Sequence, residues 1–148
     1  MLRLGTTYYM LTADKAVAES KFQGCYTLTD TPCWGYEIEI AKTSVGWKPI
    51  FQAYPSIQSV ADIKTLYDTG AFIIYDEYAD KYTWEQFTEK VLSHNKNNPD
   101  AFGHILPEKP RADVTIRGIP AIDLYGNNFP YKNFYADADG FEFYKTEI

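Results

Sequence analysis

The stretch Tyr36-Glu-Ile-Glu-Ile-Ala41 does most to limit what this chain can become, because its apolar and acidic side chains alternate with a period of two. Successive strand residues point to opposite faces, which puts Tyr36, Ile38 and Ile40 on one side and Glu37, Glu39 and Ala41 on the other. That pattern predicts a strand over 34–41 with one wet face. Thr43-Ser-Val-Gly-Trp-Lys48 then carries turn residues, and Ile50-Phe-Gln-Ala-Tyr54 alternates again, so the two runs predict a β-hairpin. In its turn Gly46 supplies a positive φ and Trp47 folds back as an anchor. Pro49 has no N–H for a ladder and is expected at the first residue of the returning strand or on an edge.

Around this hairpin the chain predicts further strands at 2–11 and 22–29, the latter ended by Asp30-Thr-Pro32, with a short helix or loop at 13–20. Ser59-Val-Ala-Asp62 resembles a capping box and opens a helix whose buried stripe is Val60, Ile63, Leu66 and Tyr67, stopped by Gly70. Residues 71–75 read as a short buried strand. Thr83-Trp-Glu-Gln86 is a second capping box, before a stripe of Trp84, Phe87, Val91 and Leu92. Polar, proline-punctuated residues 93–112 predict a surface loop, 113–117 a strand and 118–132 irregular structure. The tail from Asn133 to Lys145 predicts a hairpin turning on Asp139-Gly140 as a type I′ turn. The order predicts an α+β fold, a mainly antiparallel sheet with two principal helices packed on one face. It spans 1–148 as one domain, with 93–148 either a loop-rich extension of it or a lobe of its own.

Charge narrows the partners. The formal charge is −6, which phosphate backbones repel, so direct nucleic-acid binding is not expected and a protein with a basic surface is the better match. Thirteen tyrosines suit half-buried sheet faces and contact surfaces alike. No apolar run approaches the roughly 20 residues that cross a bilayer, and Met1-Leu-Arg-Leu-Gly5 lacks a signal-peptide core. A soluble, cytoplasmic protein without membrane contact is therefore expected. Cys25 and Cys33 are the two cysteines; one pair is too few for a disulfide scaffold, their spacing is not that of a zinc knuckle, and reduced thiols are expected.

Two groups of residues are candidates for a binding site. Lys42, Thr43 and Ser44 lack the preceding glycines of a phosphate loop, but with Trp47 they form a contact patch at a turn presented by a sheet. Glu37 and Glu39 share a strand face about 7 Å apart; with Asp76, Glu77 and Asp80 they make either an acidic recognition face or a solvated surface. Asp137-Ala-Asp-Gly140 imitates part of a calcium loop without its bidentate acid. His94 and His104 lie in the polar loop, and no nucleophile, base and orienting group converge. No catalytic residue, metal site or cofactor is expected.

Gly5-Thr-Thr-Tyr-Tyr9, Ile40-Ala-Lys-Thr-Ser-Val-Gly-Trp47 and Asp76-Glu-Tyr78 together resemble a family of small phage-encoded proteins. Those begin with a Gly-Thr-x-Tyr-Tyr-like strand and carry a Gly-Lys-Ser-Ser-x-Gly-Trp-like turn, a Ser-capped helix and an Asp-Glu-Tyr-like segment. The resemblance covers about residues 5–92. Ala41 stands where that pattern has Gly, Glu39 where it has His, and Cys25 and Cys33 do not reproduce its Cys-x-x-Cys pair. The resemblance implies phage origin rather than a reaction. The expected function is thus that of an acidic accessory protein for host takeover, inhibiting a host or defence protein that handles nucleic acid by non-catalytic binding. The alternatives are a nucleotide or small-ligand module at the Lys42–Trp47 turn and a phage structural component.

Overall fold

In the computed structural model, which describes residues 5–104, 115–116, 119–120 and 134–145, the alternating segment becomes the central strand of a large sheet. β1 (Gly5–Thr12) and β3 (Gly35–Ser44) pair antiparallel along their length, and β3 returns through Val45-Gly46 into β4 (Trp47–Gln52). Gly46 takes a φ of 83°, as the tight turn requires. β2 (Thr27–Thr29) pairs the first residues of β3, on the edge that β4 uses further along. On the other side of β1 lie β5 (Ile73–Asp76) and β6 (Lys81–Tyr82). Beyond β4, β10 (Glu142–Tyr144) runs parallel to it and is flanked by antiparallel β9 (Phe134–Ala136). The order is β6-β5-β1-β3-β4-β10-β9, with β2 the eighth strand; β7 (Thr115–Ile116) and β8 (Ile119–Pro120) form a separate pair. The sheet is mostly antiparallel, as expected.

Three helices rather than two occur among the described residues. α1 (Lys15–Phe22) forms because the Asp14 carboxylate accepts the amides of Ala16 and Val17. It ends at Gln23 and Gly24, both with positive φ. The strand expected at 22–29 therefore shrinks to Thr27–Thr29, and Phe22 becomes a buried helix residue. α2 (Val60–Asp68) is capped by Ser59 and buries Val60, Ile63 and Leu66. The Asp62 carboxylate reaches past the cap to the Gln58 amide at 2.8 Å. A second carboxylate comes from the far end of the chain: Asp137 accepts the Val60 amide at 2.9 Å. α3 (Trp84–Phe87) has both capping-box bonds between Thr83 and Gln86, then widens into a π turn over Thr88–Leu92 that buries Val91 and Leu92.

Buried residues of all three helices share one core with the sheet: Phe22, Ile63 and Phe87 pack with Tyr8, Met10, Ile38, Phe51 and Phe143. Among the described residues no helix is long and apolar enough to cross a membrane.

Two turn expectations need correction. Pro49 is neither first in its strand nor at an edge; it is buried within β4, where the β3–β4 register slips between Lys42 and Ser44 and no N–H is required. The tail hairpin does not turn on a two-residue type I′ loop, which needs positive φ at both central positions. Gly140 alone has it, at 84°, and the turn closes from the Gly140 amide to the Asp137 carbonyl at 3.0 Å. Asp137 Oδ1 fastens the loop by accepting the amides of Asp139 and Phe141. Residues 93–104 form turns as expected, apart from a bridge between Phe102 and Trp47. The readings at 2–4, 105–114, 117–118 and 121–133 lie outside the described residues.

One irregularity sets up the site. Tyr8 pairs Ala41 and Tyr9 pairs Glu39, which leaves Ile40 as an extra residue in β3, a β-bulge. Past it the alternation resets: Ile40 and Ala41 are both buried, and Lys42 turns to the face that carries Glu37 and Glu39.

Candidate functional site

Thr7, Tyr9 and Leu11 share one face of β1, so their partners Lys42, Glu39 and Glu37 share it too. Tyr8 and Met10, with Ala41 and Ile38, point the other way into the core. The face away from the core thus carries an acidic region around Tyr9 and, past the bulge, a region with lysines.

The acidic region centres on the half-buried Tyr9 ring, which stacks on Tyr75 with centroids 5.4 Å apart. Burial, and then the charges of Glu39, Glu37 and Glu77, hold the Tyr9 hydroxyl above its ordinary range. Glu77 is fixed by two bonds to Thr7: its carboxylate accepts the Thr7 amide at 2.9 Å, and its own amide donates to the Thr7 carbonyl at 2.9 Å. Glu37 titrates above the usual carboxylate range because burial disfavours its charge, which a 3.5 Å contact from the Thr27 hydroxyl offsets in part. Between β2 and β4 the edge of β3 is left to Tyr54, whose hydroxyl donates to the Glu39 carbonyl at 2.6 Å. A cleft of about 350 Å³ opens there, lined by Tyr9, Cys25, Thr27, Glu37, Glu39 and Tyr54 among others. Cys25 and Cys33 are free thiols.

The second region is a cleft of about 310 Å³ lined by Lys42, Ser44, Trp47, Lys48, Ile50 and His104. Of these, His104 belongs to a histidine–carboxylate pair. Glu142 Oε1 accepts the His104 backbone amide at 2.8 Å and contacts His104 Nδ1 at 2.9 Å. Burial pushes the Glu142 carboxyl up, but the bonds from the His104 ring and amide and the charges of His104 and Lys48 outweigh it and hold the group below its ordinary range. An ionised Glu142 requires the proton on His104 Nδ1 and leaves Nε2 as the nitrogen turned away from the carboxylate. The imidazole lies between Trp47 and Phe134, with ring centroids at 5.1 and 5.8 Å. Gly103 permits this approach, because a Cβ there would stand 2.9 Å from Glu142 Oε2.

The residues singled out from the sequence do not all meet. Lys42, Ser44 and Trp47 come together in the second cleft, whereas the buried Thr43 points to the opposite face. There it lines a separate hollow with Tyr8, Lys90 and His94. Alternation forbids Thr43 from acting beside its two neighbours. Glu37, Glu39 and Glu77 gather around Tyr9. Asp76 does not join them. It is fully buried, and its carboxylate accepts the amides of Tyr78 and Asp80 at 2.9 and 3.0 Å and the Tyr82 hydroxyl at 2.7 Å. Burial, and then the hydrogen bond to Asp76, raise the Tyr82 hydroxyl far above its ordinary range. Asp80 lines a different hollow, with Lys81, Glu89, Lys90 and His94. Sequence reasoning passed over Tyr9, Lys48 and Glu142 as site residues and set His104 aside as a loop histidine. The one available signal was Glu142 standing between Phe141 and Phe143, an acid set into an apolar strand.

Among the described residues no group of three or more histidine, cysteine, aspartate or glutamate side chains is placed to hold a metal ion. Compared with known proteins, the chain matches no family model, no curated protein and no solved structure.

Proposed function

We propose that this chain is a small acidic phage accessory protein that acts by non-catalytic binding, docking on a host or defence protein that handles nucleic acid and inhibiting it. The observation that carries this reading is the cleft that Glu37 and Glu39 share with the half-buried Tyr9 ring, with the Glu77 carboxylate held on Thr7 of the same strand face. Proteins that bind phosphate backbones present lysine and arginine clusters, and a carboxylate-rimmed aromatic complements such a surface in charge and in apolar area. The acids supply encounter rate and orientation, and Tyr9, backed by the buried Tyr75, supplies a rigid contact. The site of action on this reading is the host-cell cytoplasm.

The test is capture from host lysate by the wild-type chain and by a Glu37→Gln, Glu39→Gln, Glu77→Gln variant, at low and high salt. A nucleic-acid-binding protein retained by the wild type at low salt, and lost from the variant, supports the reading. Identical capture by both chains overturns it.

A second reading, a small-ligand module at the Lys42–Trp47 turn, is favoured by one observation: Lys42, Ser44 and Trp47 line one cleft together with Lys48 and His104. Stacking a nucleotide base on Trp47 is not part of it, because Phe102 and His104 already pack against that indole at 5.2 and 5.1 Å.

A further inference from the structure

The cleft on β4 has donors with capacity to spare. Lys42 is engaged by Glu39 at 3.2 Å. Lys48 makes no ion pair among the described residues, and its charge acts on Glu142 instead. The Glu142 carboxylate occupies His104 Nδ1 and the His104 amide, which fixes the ring and leaves Nε2 for another partner. Ser44 adds a hydroxyl, and Ile50 and the edge of Trp47 add apolar wall. Two ammonium groups, an oriented imidazole and an apolar wall in about 310 Å³ are the parts with which proteins hold a compact anion that carries an organic group.

We infer that this cleft binds a phosphate monoester, with the phosphate between Lys48, Lys42 and His104 Nε2 and the organic group against Ile50 and Trp47. The inference rests on the small-ligand reading of this cleft and is independent of the acidic region around Tyr9. The phosphate oxygens accept from the two lysines and from Nε2 as donor, while Glu142 holds the ring through Nδ1. Glu39 and Glu142 subtract charge from the site and restrict it to ligands that bring both a dianion and an apolar body. Inorganic phosphate, which lacks the apolar body, binds more weakly.

The experiment is titration of the full chain, followed by tryptophan fluorescence and by the His104 ring signals in NMR, with phenyl phosphate, inorganic phosphate and phenol as probes. Saturable binding of phenyl phosphate, weaker binding of inorganic phosphate, and about a ten-fold loss in Lys48→Ala support the inference. His104→Gln is expected to weaken phenyl phosphate similarly, and Lys48→Ala keeps the test decisive if the histidine variant loses the packing of residues 102–104. Phenyl phosphate binding unchanged in Lys48→Ala overturns the inference. Phenol binding as tightly as phenyl phosphate overturns the phosphate assignment and leaves the cleft a ligand site. Failure of all three probes removes the small-ligand reading as well.

Discussion

Glu39 and Lys42 meet at 3.2 Å on one face of β3 although they stand three residues apart. In an unbroken strand an odd separation puts two side chains on opposite faces. Ile40, left without a partner between the Tyr8–Ala41 and Tyr9–Glu39 pairs, is the extra residue that reconciles them. One inserted residue thus sets a lysine-bearing region beside an acidic one on the same surface, and both proposed binding modes depend on it.

The ion pair itself should matter little to stability. Its side chains are 43% and 31% exposed, so Lys42→Ala is expected to change the unfolding free energy by no more than about 0.5–1 kcal/mol. Urea denaturation measures this. A loss well beyond that range would mean the bridge holds the bulge in place.

Asp76 should behave in the opposite way. It is fully buried and organises the β5–β6 turn by accepting from two amides and the Tyr82 hydroxyl. Asp76→Ala strands those donors and is expected to cost about 2–4 kcal/mol in chemical denaturation. Asp76→Asn keeps an acceptor for the amides and should cost less.

Glu37 carries a pH signature. Its folded-state pKa is raised by burial, so its contribution to stability is full below the unfolded-state pKa and is lost as pH rises through the folded-state value. Glu37→Gln should therefore melt higher than wild type at neutral pH, with the advantage shrinking on acidification through the carboxylate range. A variant that melts lower at neutral pH would show that the charge is compensated in the free protein.

Glu142 has the reverse sign. Hydrogen bonds from His104 and the charges of His104 and Lys48 hold its pKa down against burial. Its stabilisation is present above the unfolded-state pKa and is lost as pH falls through the folded-state value. Glu142→Gln should be less stable than wild type at neutral pH, and the two melting curves should converge in acid. Equal melting temperatures at neutral pH would count against a structural role for the His104–Glu142 pair.

What the sequence disclosed follows from which forces are local. Alternation around Ile38, the caps at Ser59 and Thr83 and the stripe of Val60, Ile63 and Leu66 depend on near neighbours, and they occur where expected. Ala41, which strict alternation sets beside Glu37 and Glu39, faces the core instead, because a bulge arises from pairing with β1, which β3 alone does not encode. Asp76 looked like surface charge because its donors, Tyr78, Asp80 and Tyr82, are identified only by the turn they close. The His104–Glu142 pair was hidden for a further reason. It joins a polar loop to the last strand across 38 residues, and neither segment carries a periodic signal that names the other.

The parallel seam between β4 and β10 also has a consequence during synthesis. Gln52 and Tyr144, which hydrogen-bond across it, are 92 positions apart, so a nascent chain displays β4 with one flank bare long after the hairpin has emerged. An unpaired flank is a template for another extended segment, and β4 of a second copy presents the same bare flank. The yield of native protein should then follow translation speed and expression level more closely than the stability of the finished sheet.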